Sequence, residues 1–61
     1  MTRYDFLKEV ETFIKVHSIT ATAFGKLALG QPMFVFQLRM GRECREATQE
    51  KVLNFMKEFK D

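Results

Sequence analysis

The side chains with recognition chemistry crowd into the middle of this chain. Gln31 and Gln37 carry amides that both donate and accept hydrogen bonds, Lys26, Arg42 and Arg45 are cations, and Met33, Phe36 and Met40 are apolar residues set among them. In the major groove of a DNA duplex, a glutamine amide meets the N7 and N6 edge of adenine and apolar side chains touch thymine methyls. Lysine and arginine neutralise phosphates. The net charge is only +2, but residues 20–47 hold all of the excess: Lys26, Arg39, Arg42 and Arg45 against Glu43 and Glu46. No Asp or Glu occurs from Thr12 through Arg42. That distribution suits a polyanion better than the total charge does.

Catalytic chemistry has much less to work with. One histidine, His17, and one cysteine, Cys44, are present. They are too few for a zinc site, and a lone cysteine excludes an intramolecular disulfide. No nucleophile-base-carboxylate set, acid pair or glycine-rich phosphate loop is visible, so neither an enzyme nor a metal or cofactor is expected. His17 reads as a cation at a helix C-terminus. Cys44, beside Arg45 in a polar connection, is expected to have a somewhat lowered thiol pKa.

These residues need elements to position them. At 61 residues the chain is expected to form one domain, residues 1–61, with room for a single modest core worth about 3–5 kcal/mol net. Tyr4, Phe6, Leu7, Val10, Phe13 and Ile14 fall on one stripe and predict a helix over 3–16. Thr2 with Asp5 is a weak capping box, and Glu11 with Lys15 an i,i+4 pair. Thr20 caps a second helix over 20–29, with Ile19 and Phe24 spaced as a hydrophobic staple. Gly30 ends it.

Pro32 suits the first turn of a third helix over 32–40, closed by Gly41. Met33 to Phe36 taken alone would also pass as a strand, but the flanking glycines and Pro32 favour helix. Thr48 caps a last helix over 48–60, with Val52, Phe55, Met56 and Phe59 on one stripe and Lys57 and Lys60 in its last turn. The expected fold is all-α: a compact bundle of about four helices with a central helix-turn-helix. Its expected core is Leu7, Val10, Ile14, Phe24, Leu27, Val35, Leu38, Val52 and Phe55.

Two short helices joined by a tight glycine turn need a small residue where they cross and inward apolar residues three apart on the second. Phe24 and Gly25 meet the first need, Val35 and Leu38 the second. With Gly41 and the later pair Val52 and Phe55, this spacing resembles the phage repressor and Cro type of helix-turn-helix domain over roughly residues 18–59. The segment FGKLALGQPMFVFQLRMGRE is also similar to short uncharacterised bacterial proteins predicted to have this fold. Leu29 stands where that family's turn usually has glycine, with Gly30 one place later, and the connection from Gly41 to Thr48 is about two residues longer than usual.

The resemblance implies sequence-specific duplex DNA binding by a small transcriptional regulator, with the helix over 32–40 in the major groove. A helical wheel with Val35 inward independently turns Met33, Phe36, Gln37 and Met40 outward. Gln31, Met33, Phe36 and Gln37 then face bases, while Lys26, Arg42 and Arg45 lie beside phosphates. Thr20 and Thr22 open the second helix, where unpaired N–H groups attract anions. Arg39 stands where the family often has an acid paired to the first helix, and Asp5, Glu9 or Glu11 supplies the pair with the signs exchanged. The competing reading is a protein-interaction module whose Met33, Phe36 and Met40 face docks on another protein. A homodimer through Phe55, Met56 and Phe59 is expected to supplement the few phosphate contacts of one copy. No apolar run reaches the length of a membrane span, and a cytoplasmic location is expected.

Overall fold

The first stripe of apolar residues does form a helix, α1 (Arg3–His17), in a computed structural model that describes residues 3–59. Thr2 and Lys60, where a cap and a last-turn cation are expected, lie outside the described residues. Phe6 and Val10, one turn apart, are fully buried, and Leu7, Phe13 and Ile14 flank them against the same core. At its end Ser18 takes a left-handed conformation (φ 54°). Its N–H donates to the Lys15 carbonyl, and the Ile19 N–H donates to the Ile14 carbonyl at 3.2 Å. This 5→2 and 6→1 pair satisfies two last-turn carbonyls and folds Ile19 back onto the core.

Thr20 then starts α2 (Ala21–Leu29), its hydroxyl accepting from the Ala23 N–H at 3.0 Å. Phe24, Gly25 and Ala28 form the buried face. Leu27, expected in the core, is instead 61% exposed. The inward face of α2 is centred between Phe24 and Gly25, where the next helix crosses, and Leu27 lies about 110° round the helix from that centre. Gly30 ends the helix in the left-handed region (φ 69°), and its N–H donates to the Lys26 carbonyl at 2.8 Å.

The third helix, α3 (Phe34–Arg39), is shorter than expected. Pro32 does not open it. Pro32 and Met33 lie in the turn, because the Phe34 N–H closes a three-residue hydrogen bond on the Gln31 carbonyl (3.0 Å) and regular helix bonding begins only with Gln37 N–H to Met33 (3.0 Å). Phe34, Val35 and Leu38 are buried, and no strand occurs among the described residues. Phe34, left out of the expected core, meets Phe6 edge-on at 6.5 Å between centroids.

The last helix, α4 (Glu46–Glu58), starts before Thr48, which lies in its first turn and does not cap it. Arg45 holds the N-cap position without a side-chain cap, and the Gln49 amide instead reaches back to the Cys44 carbonyl at 3.4 Å. Glu46 in the first turn and Lys57 in the last suit the helix dipole. Val52 is fully buried.

The four helices close as an all-α bundle in which α2 packs on α3 and α4, and α1 on α3. Its radius of gyration, 10.3 Å, matches the value of about 10.5 Å for a folded chain of this length. An aromatic cluster seals one side. Phe24 meets Phe13 at 5.6 Å and Phe55 at 5.5 Å, both edge-on. Phe59 meets Phe13 at 5.2 Å and His17 at 5.0 Å. Leu7, Ile14 and Phe55, expected at the centre, are half-buried and pack around it.

Candidate nucleic-acid interface

The arrangement at the end of α3 follows from one glycine. Gly41 adopts a positive φ of 101°, its N–H donates to the Leu38 carbonyl (3.1 Å), and the Arg42 N–H donates to the Gln37 carbonyl (2.9 Å). This is the 5→2 and 6→1 pattern of a left-handed helix end, and it turns Arg42 back along the helix it has just left. The guanidinium crosses the buried ring of Phe34 at 5.7 Å from its centroid, a cation-π approach. Its Nη1 then donates to the Oε1 atoms of Gln31, at 3.4 Å, and Gln37.

The structure thus brings Gln31, from the turn, Gln37, from α3, and Arg42 into one hydrogen-bonded array on an exposed surface. Met40, 85% exposed, lines a shallow depression with Gln37 and Arg42. Met33 is 57% exposed. The outward face expected from the helical wheel is therefore open to solvent at Met33, Gln37 and Met40. Phe36 is only half-buried, and the Arg39 guanidinium stands over its ring at 5.5 Å.

The other expected contact residues lie along α2 and at the start of α4. Thr20 is committed to its cap bond, while Thr22 and Lys26 are exposed and one turn apart. Arg45, at the N-cap of α4, has its charge at the end of a helix where the dipole disfavours a cation; Glu46 beside it offsets this.

Arg39, which covers Phe36 at the edge of this surface, is engaged in an ion pair. Of the three acids that qualified in α1, Glu11 makes a two-pronged pair with it: Nε to Oε2 at 2.9 Å and Nη2 to Oε1 at 2.7 Å. Glu11 takes this partner from across the bundle rather than Lys15 along its own helix. The hydrogen bonds from Arg39 hold the Glu11 carboxyl below its usual pKa against a smaller opposing effect of desolvation, and Glu11 in turn raises Arg39. One of the two acids that flank the acid-free stretch is thereby paired within the fold.

Cys44 departs from expectation. Its thiol pKa is raised, because partial burial outweighs the attraction of the nearby Arg42 charge, so the loop does not make it a reactive thiolate. Among the described residues no group of three or more His, Cys, Asp or Glu side chains is placed to hold a metal ion, and no helix is long and apolar enough to cross a membrane.

Sequence reasoning did not anticipate the Arg42 array. The signal was present in Gly41 followed by Arg42: a glycine at a helix end sends the next residue back toward the last turn. No protein-family model, curated protein or solved structure matches the chain.

Proposed function

We propose that this chain binds duplex DNA, presenting the turn and α3 to the major groove, and acts as a small cytoplasmic transcriptional regulator rather than an enzyme. The observation that carries this reading is the exposed Gln31, Gln37 and Arg42 array, built on a two-helix unit within a stretch of sequence free of acid. Amides and a guanidinium held in a fixed relation suit base edges and phosphates. Lys26 on α2 and Arg45 at the start of α4 supply further cations for the backbone. The resemblance of the Phe24, Gly25, Val35, Leu38 spacing to repressor and Cro domains agrees with it.

Few phosphate contacts per copy argue for a two-fold homodimer on DNA. Phe55 and Phe59 pack against Phe13, Phe24 and His17 within the chain. Met56 is likewise half-buried against the core, so a dimer contact on α4 would use only the solvent-facing parts of these side chains. A second reading, docking of another protein on Met33, Phe36 and Met40, is favoured by the exposure of the two methionines. The Arg39 guanidinium over Phe36 and the Gln37 and Arg42 side chains beside Met40 break up that apolar face.

Titration into a mixed-sequence duplex at two salt concentrations decides between them. Lys26→Gln, Arg42→Gln and Arg45→Gln should each weaken binding on all sequences and reduce the salt slope by about one. If these three leave duplex affinity untouched while Phe36→Ala abolishes capture of a protein partner, the surface is a protein-docking face and the DNA reading fails.

A further inference from the structure

Resting on the DNA-binding reading, we infer that Arg42 sets the polarity of the Gln31 and Gln37 amides, so that the turn and α3 present donors and select guanine over adenine. A guanidinium has only N–H groups to offer, so a glutamine bonded to it must turn its carbonyl oxygen inward. Both glutamines do so: the Oε1 atoms of Gln31 and Gln37 converge on Arg42 Nη1. The Nε2 groups take no part in these bonds and remain available as donors.

This changes what Gln37 can read. The two-pronged adenine contact needs the glutamine oxygen to accept from N6 while the nitrogen donates to N7. With the oxygen held by Arg42, a glutamine N–H can still donate to adenine N7 but meets the N6 amino group donor to donor. Guanine presents N7 and O6, both acceptors, at the same edge. Arg42 is well placed to enforce the choice, because the helix end at Gly41 fixes its backbone and its guanidinium lies over the Phe34 ring. Its Nε and Nη2 groups add to the donor character of the surface.

The test is selection from a randomised duplex, followed by affinity measurements on duplexes differing by one base pair at the selected positions. Wild type should prefer G·C over A·T on the order of tenfold at the position whose preference Gln37→Met erases. Arg42→Met keeps the apolar stem but releases the glutamine oxygen, and should reverse the preference to adenine at that position even though overall affinity falls. Arg42→Lys retains a donor and should keep guanine.

Thermal melts of each variant establish that it is folded, and Arg42→Lys against Gln37→Met still tests the inference if Arg42→Met is not. Adenine selected by wild type, or guanine retained by Arg42→Met, overturns the inference. Tight binding with no base preference at any position places the array on phosphates and also overturns it, leaving DNA binding intact. Absence of any duplex binding by wild type removes the DNA-binding reading itself.

Discussion

Replacing Gly25 by alanine should destabilise this domain, although alanine is the better helix former. A Cβ at Gly25 would lie 2.2 Å from the Gln31 carbonyl oxygen and 3.2 Å from Phe34 Cβ, where ordinary contact begins near 3.4 Å. The turn must therefore move by about 1 Å. It is not free to do so. The Gln31 carbonyl accepts from the Phe34 N–H at 3.0 Å, and the Gln31 N–H donates to the Gly25 carbonyl at 3.1 Å, so the same shift disturbs both bonds.

Overpacking of this kind costs about 1–3 kcal/mol and a weakened hydrogen bond about 1 kcal/mol, against a gain of about 1 kcal/mol in helix propensity. The net loss is about 1–3 kcal/mol, which for a domain of this size lowers Tm by roughly 5–20 °C. Gly25→Leu should lose more. Far-ultraviolet circular dichroism melts of the two variants measure this directly. An unchanged or raised Tm for Gly25→Ala would refute the close approach of α2 to the turn, because an exposed helical glycine gains stability on the same substitution.

The Glu11–Arg39 pair is partly exposed, with 38% and 43% of the side chains open to solvent, so a double-mutant cycle with Glu11→Gln and Arg39→Met should give only about 0.5 kcal/mol of coupling. Because Glu11 has its pKa lowered in the folded chain, that coupling is complete above about pH 4.3, the unfolded value, and fades as acid takes the pH down through the native one; a coupling that grows on acidification contradicts the assignment. Phe59→Ala should lower stability by about 1–2 kcal/mol through loss of its ring contacts with Phe13, His17 and Phe55. Sedimentation should show its oligomeric state unchanged, whereas dissociation of a dimer without loss of monomer stability would place Phe59 in an intermolecular contact.

Local chemistry determined a good deal of this protein from sequence alone. The Thr20 cap and the helix ends at Gly30 and Gly41 are settled within a few residues of chain, because capping and left-handed backbone depend on neighbours in sequence. The order of four helices followed from apolar spacing for the same reason. Packing direction does not follow from spacing, and here the tertiary structure decided. The crossing at Gly25 and Ala28 turned Leu27 out to solvent, and Phe6 and Phe34 met in a core where Leu7 had been expected. The start of α3 moved past Pro32 once Gln31 and Phe34 were joined by a hydrogen bond. Three acids on α1 were equal candidates for Arg39 until the bundle set Glu11 opposite it. The same holds for the candidate site: its residue types were legible as a list, but that Arg42 folds back to claim the oxygens of two glutamines depends on where α3 ends in space.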